Sequence, residues 1–206
     1  QIKTVIEREA NSVNDNPLID PVTGRVYHTG NFFGAHIARA MDGLKLDLTN
    51  LANWLHSLMA LLMDERFSNG LPPSLSPSPG LYQGFKGAQI THTSIVTAIR
   101  HWSAPSLVHT LPTEQFNQDI VSLGTHSAMT AMDMIRLLRS VAAINLLASA
   151  QAIDLRKGAD RMGAGTKAIH RVIRGVSPFV EADRALDVDI RRVCELIGER
   201  QIPVLN

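Results

Sequence analysis

Cysteine is almost absent, with Cys194 the only one in 206 residues. An intrachain disulfide is therefore impossible, and a reducing, cytoplasmic setting is the expectation. The eight histidines include no HxxxH or HExxH pair, and the lone cysteine has no neighbouring ligand, so no metal site is expected. A surplus of either charge is missing too: 20 Lys and Arg face 19 Asp and Glu, for a net charge of +1. Such a balance does not suit a phosphate-coating protein, so nucleic acid is not an expected partner. No apolar run has the purity of a membrane span. The best stretch, Leu48 to Met63, is interrupted by Asn50, Asn53 and His56, so no membrane partner is expected. The opening QIKTVIERE alternates charged and apolar groups, unlike a signal peptide. Dinucleotide-binding, P-loop and nucleophile-elbow patterns are also missing.

What is present suits one domain or two small ones with a real core. Apolar residues make up 45% of the chain, which argues against disorder. Charge is unevenly spread: residues 154–200 hold 18 of the 39 charged groups, and the other 159 residues hold 21. A body with so few charges should be buried, against itself or against other chains. The chain opens with Gln1 inside what reads as a running helix, so a native start is expected elsewhere.

Periodicity predicts an all-α fold: a bundle of long helices with extended loops. A short helix over Lys3 to Ala10 leads into a turn-rich stretch from Asn11 to Asn31. Ile37, Met41, Leu44, Leu48, Leu51, Leu55, Leu58 and Leu62 then form a heptad stripe. That helix is roughly 40 Å long, and its second half should be buried on most sides, because Trp54, Met59, Leu61 and Met63 lie off the stripe. Ser68 to Phe85, dense in Pro and Gly, is a long loop. Helices follow over Gly87 to Trp102 and Ser122 to Leu155. The second is free of charge and rich in Ala from Ser140 to Ile153, as a central helix would be. Charged helices over Arg161 to Ile173 and Glu181 to Gly198 complete the chain. Residues 1–156 thus form a helical-bundle part and residues 157–206 a charged peripheral part.

Three polar clusters lie at loop–helix junctions, and each has a plain structural explanation. Asn11-Ser12-Val13-Asn14-Asp15-Asn16-Pro17 reads as a stack of Asx-turns. In Gly30-Asn31-Phe32-Phe33-Gly34, Asn31 can cap the long helix and the phenylalanines can staple it. In Glu114-Gln115-Phe116-Asn117-Gln118-Asp119, capping by Asn117 or Asp119 explains part. Glu114 and Gln118 would share a face if that turn is helical. A carboxylate beside so apolar a body is a candidate for acid–base work.

Taken in order, NSVNDNPLID, GNFFG, GFKGAQI, EQFNQDIVSLG and AQAIDLR resemble the aromatic amino-acid ammonia-lyase and 2,3-aminomutase family, from about Ile6 to Arg156. The resemblance implies an ammonia-lyase type of bundle that assembles as a homotetramer, with each active site built from several subunits. It also implies a 4-methylideneimidazol-5-one electrophile, formed from an internal Ala-Ser-Gly, which activates an aromatic amino acid for loss of its amino group and a β-proton. Residue by residue, Asn16 would contact the electrophile or the substrate carboxylate, and Phe32 would pack beside both. Lys86 and Ile90 would line the pocket for the aryl ring. Glu114 would sit near the amino group as electrostatic partner or proton acceptor, and Gln118 would hydrogen-bond around the electrophile.

The sequence departs from the family pattern at named places. It has no Ala-Ser-Gly; Ala148-Ser149-Ala150 is the nearest match. The family's catalytic tyrosine and its carboxylate-clamping arginine belong to a segment that would precede Gln1. The expected partner is therefore the N-terminal part of the same enzyme, and this chain alone is expected to be inactive. Phe33 stands where relatives often carry His or Gln. Gln118 stands where histidine-specific members have Glu, which favours phenylalanine or tyrosine as substrate. A 2,3-aminomutase, a histidine ammonia-lyase and a non-catalytic helical scaffold are the alternatives.

Overall fold

The structure, a computed structural model, describes residues 1–203. Six α-helices account for most of these residues. They are α1 (Ile2–Ala10), α2 (Ala35–Met63), α3 (Lys86–His101), α4 (Gly124–Leu155), α5 (Ala164–Val176) and α6 (Asp187–Gly198). Two-residue strands β1 (Leu18–Ile19) and β2 (Val26–Tyr27) form an antiparallel hairpin in the turn-rich stretch, pairing Leu18 with Tyr27 and Ile19 with Val26. The chain is all-α apart from this hairpin. It forms two compact units: Gln1–Leu48 with His101–Met134, and Thr49–Arg100 with Ile135 onward. Helices α2 and α4 each contribute residues to both.

The first unit is built around a polar centre. Ala38, Met41, Ala131 and Met134 are buried, and so are Asp42, Lys45, Ser106 and Ser127. Lys45 is only 1% exposed. Its Nζ donates to Asp42 Oδ1 at 3.0 Å, to the Ala104 carbonyl at 2.6 Å and to Ser106 Oγ at 3.1 Å. The Asp42 carboxylate also accepts from the Ser106 and Leu107 amides at 2.9 and 3.0 Å, and from Ser127 Oγ at 2.5 Å. Burial pushes the Asp42 carboxyl up. The donors outweigh it, led by Ser127 and the two amides, and hold the group below the usual carboxylate range. The charge pair is thus fully solvated by protein, the condition under which a buried ion pair is tolerated.

The second unit has an apolar core. Met59, Met63, Phe85, Ala88, Ala143, Ile144, Leu147 and Ala148 form one cluster, joined by Ile173, Val180 and Val193 from the tail. The charge-free half of α4 is buried, as its Ala content leads one to expect. On α3, Ala88, His92, Val96 and Ile99 face inward at helical spacing. His92 Nε2 lies 2.7 Å from Asn145 Nδ2, which also donates to the Val141 carbonyl. Because an amide nitrogen only donates, His92 Nε2 is the acceptor and Nδ1 holds the proton. That proton is directed at His56 Nδ1, 3.2 Å away.

The leucine stripe of α2 locates the helix but not its buried face. Ala38, Lys45, Ala52 and Met59, seven residues apart, are the positions that vanish from solvent. Leu51, Trp54, Leu58 and Leu61 remain at least 40% exposed, so the second half of α2 is not enclosed by the described residues. Small residues and an internally satisfied charge pair permit the closest approach, which a pattern of large apolar residues does not report.

Two outcomes follow from these interiors. Asp42→Ala strands the Lys45 ammonium in a buried site and should cost about 3–5 kcal/mol in a urea unfolding measurement. A loss below about 1 kcal/mol would show that the pair is dispensable. Burial, reinforced by His56, lowers the His92 pKa to about 4. Folded His92 is therefore neutral where unfolded histidine takes a proton. Its contribution is complete above about pH 6.5 and falls, by up to about 3 kcal/mol, as the pH drops towards 4. His92→Asn should flatten this part of the stability–pH curve, whereas an unchanged slope between pH 6.5 and 4 would refute the assignment.

Candidate active site

The three polar clusters of the sequence all belong to the first unit, and the first is tied to the residue just before the second. Asn11 and Ser12 close α1: Asn11 Nδ2 donates to the Glu7 carbonyl and Ser12 Oγ to that of Arg8. Beyond them the β1–β2 hairpin doubles the chain back, which sets Asn16 beside Thr29. Asn16 Oδ1 accepts from the Thr29 amide at 3.0 Å, and Thr29 Oγ1 donates to the Asp15 carbonyl at 3.2 Å. The Asn16–Pro17 bond is cis. The first cluster is therefore more than a local stack of Asx-turns, since it is fastened to the residue just before Gly30.

Asn31–Phe33 makes its own 3-10 turn, so Asn31 does not cap the long helix. The turn ends at Gly34, whose φ of +66° suits glycine. The Gly34 carbonyl then accepts from the amides of Ile37 and Ala38 at the start of α2. Phe32 is left 41% exposed while Phe33 is half-buried.

The third cluster also differs from the helical turn that would align Glu114 with Gln118. Glu114, Gln115 and Phe116 have φ of 52°, 55° and 65°, three consecutive left-handed residues, none of them glycine. Each such residue costs roughly 1–2 kcal/mol. Backbone bonds between Thr113 and Gln118 close the turn in both directions, at 2.9 and 3.3 Å. The segment is thus a closed left-handed turn and not the helical one that would align Glu114 with Gln118. Glu114 is exposed, with Oε2 accepting from Asn117 Nδ2 at 3.2 Å, and Gln118 is half-buried.

Phe32 and Gln118 line one open cavity of about 650 Å³, with Phe33, Ile37, Ile120 and His126 among its other walls. A neighbouring cavity of about 530 Å³ is bordered by Asn14, Asn31 and Arg8. Both include Glu9, Phe33 and Gly34. Glu9 Oε2 lies 2.6 Å from His36 Nε2, a contact that sequence reasoning did not single out. Its members are 27 residues apart, and the only signal was that each adjoins a polar cluster. Asn16 and Glu114 are not among the residues lining either cavity. Lys86 and Ile90 belong to the second unit, where both are exposed one turn apart on α3. Lys86 Nζ reaches Gln83 Oε1 at 3.2 Å.

A further cavity in the first unit, about 600 Å³, is walled by Lys45, His101, Trp102, His109, His126 and Asp133 and holds none of the expected site residues. Among the described residues no group of three or more His, Cys, Asp or Glu is placed to hold a metal ion. No described helix is long and apolar enough to cross a membrane.

The family profile described as "Aromatic amino acid lyase" matches residues 1–175, and the chain belongs to that family. It is 49% identical over 207 residues to a "hal-like protein" of Dictyostelium discoideum, covering 99% of this chain and 39% of that protein. It is 39% identical over 202 residues to the histidine ammonia-lyase of Caldanaerobacter subterraneus, covering 98% of this chain and 39% of that one. Among solved structures, the tyrosine aminomutase of Streptomyces globisporus superposes with a TM-score of 0.92 at 32% identity, over 98% of this chain and 38% of that chain. The chain therefore spans about two fifths of the length of the relatives it matches.

Proposed function

We propose that this chain is part of an ammonia-lyase that eliminates ammonia from phenylalanine or tyrosine to give an arylacrylate, and that it supplies one wall of the active site. The observation that carries this reading is the shared cavity of Phe32 and Gln118, which come from motifs far apart in sequence. Phe32 would offer an apolar face to the substrate, and its exposure leaves that face free. Asn16 spends its side-chain carbonyl on Thr29, which orients its NH2 group as a donor to a carboxylate. Glu114, presented by the left-handed turn, would accept a hydrogen bond from the substrate ammonium at a carboxylate oxygen. Lys86 and Ile90, by their resemblance to the family's pocket residues, would border the aryl ring of a site built from several copies of the chain.

The 4-methylideneimidazol-5-one group, once formed, supplies the electrophile that draws electrons from the substrate. This chain has no Ala-Ser-Gly, so the group would come from another stretch of the polypeptide. The residues here suit it: an aromatic edge and a half-buried amide, Gln118, border an open cavity. The exposed apolar side chains along α2 support burial against further chains, in a homotetramer completed by the N-terminal part of the enzyme. The lone cysteine supports a cytoplasmic setting.

Gln118 carries the preference for phenylalanine or tyrosine, through its resemblance to family members of that type. A histidine substrate is the second reading, favoured by the names of the two curated relatives, and an aminomutase outcome is favoured by the solved tyrosine aminomutase. The complete enzyme should convert phenylalanine or tyrosine to cinnamate or coumarate. Urocanate as the sole product would overturn the substrate assignment, β-amino acids would indicate a mutase, and no product from any of the three amino acids would leave only a scaffold. In the same enzyme Glu114→Gln and Phe32→Ala should each lower turnover by roughly 100-fold or more without altering assembly. Near-normal rates in both would refute the site.

A further inference from the structure

The AQAIDLR motif at the end of α4 takes no part in the proposed chemistry, yet its polar side chains are all engaged within the second unit. Gln151 is fully buried. Its Nε2 donates to the Val180 carbonyl at 2.9 Å and its Oε1 accepts from the Val180 amide at 3.0 Å. The amide therefore grips one peptide of the segment that joins α5 to α6. Asp154 accepts from Arg174 Nε at 2.7 Å and is paired with His170 at 2.8 Å, which fixes α5 to the end of α4. Arg156 donates to the carbonyls of Ser68 and Asn69, at the start of the long Pro- and Gly-rich loop.

The segment gripped by Gln151 is held at its far end as well. Arg184 makes two hydrogen bonds to the Asp189 carboxylate, at 2.6 and 3.0 Å. Asp183 lies between these anchors. Its carboxylate accepts the Gln83 amide at 2.9 Å and the Gly84 amide at 2.9 Å. Both amides lie within three residues of the start of α3 at Lys86. The loop is tight here, because a Cβ on Gly84, whose φ is +56°, would lie 2.6 Å from the Ser74 carbonyl oxygen. The next amide, Phe85, donates to that same oxygen at 2.8 Å, and the Phe85 ring is buried. The start of α3 is thus pinned from the loop side by Ser74 and from the tail side by Asp183.

We propose that Asp183 is a positioning residue for substrate selection: through the Gln83 and Gly84 amides it fixes the first turn of α3, and so the placement of Lys86 and Ile90 at the aryl ring. The inference rests on the reading that Lys86 and Ile90 border the ring. A carboxylate serves better than a neutral group because Oδ1 accepts from both amides while Oδ2 accepts from Gln83 as well, and charge-assisted bonds are the stronger kind. Displacing a helix start by a fraction of an ångström alters which ring substituents fit, since discrimination in a packed pocket turns on contacts of about that scale.

The test uses the complete enzyme with phenylalanine and tyrosine as paired substrates. Asp183→Ala should change the ratio of their kcat/KM values by roughly 10-fold, with assembly unchanged. Asp183→Asn, which keeps one accepting oxygen, should restore part of the ratio. In both variants the Gln83 and Gly84 amides should exchange hydrogen faster, a readout that holds even if activity is poor. A purely structural role would lower both substrates equally and leave the ratio intact, and that result overturns the proposal. Ile90→Ala is the control for the underlying reading. If it shifts the ratio and Asp183→Ala does not, only the positioning role fails. If Ile90→Ala and a Lys86→Met variant leave the ratio untouched, α3 does not border the ring and both readings fall.

Discussion

The Asp42 carboxylate is the point from which the first unit is organised. One buried anion collects an ammonium from its own helix, two amides from the turn at Ser106, and a hydroxyl from the start of α4. Those partners lie far apart in sequence, so satisfying the charge and assembling the unit are one event. The cost of leaving any of them unpaired in a dry interior far exceeds the loss of an ordinary contact. The turn at Ser106 opens the loop that carries Glu114 and Gln118, while the helix bearing Asp42 is entered directly from Phe32 and Phe33. Phe32, Glu114 and Gln118, the residues proposed for the site, are therefore mounted on the two segments that the carboxylate joins.

The second unit solves a different problem. It has an apolar core, but a loop rich in Pro and Gly must also be held in one place, and beyond internal bonds such as Phe85 to Ser74 and Ser76 to Tyr82 it needs anchors to the rest of the unit. The end of α4 and the segment after α5 supply them from outside: Arg156 at the loop's beginning, Asp183 at its end, and the buried Gln151 holding the second of these in place. A motif that carried the family resemblance in sequence is, in the fold, the means by which irregular chain is held in place.

Much of this was legible in the residues. Helical periodicity located every long helix, and Pro and Gly density marked the loop between α2 and α3. Three polar clusters stood out at loop–helix junctions, and the fold puts all three in the first unit. What escaped had physical reasons. The buried face of α2 is set by Ala38, Lys45, Ala52 and Met59, and no hydropathy pattern ranks lysine or alanine above leucine. The left-handed turn at Glu114 contains no glycine to announce its positive φ, so Glu114 and Gln118 read as neighbours on a helix where the chain forms a closed left-handed turn. The Glu9–His36 pair and the reach of Asp183 to Gln83 join residues distant in sequence, and spacing alone cannot show such pairings.

The central claim is that Phe32 and Gln118 border the place where an aromatic amino acid reacts. A crystal structure of the complete enzyme with an arylacrylate bound addresses it most directly. The account predicts the ring in van der Waals contact with Phe32, the Gln118 amide beside the reacting end, and the carboxylate within hydrogen-bond reach of Asn16. An arylacrylate bound at a catalytically competent electrophile with all three side chains remote from it would contradict the account.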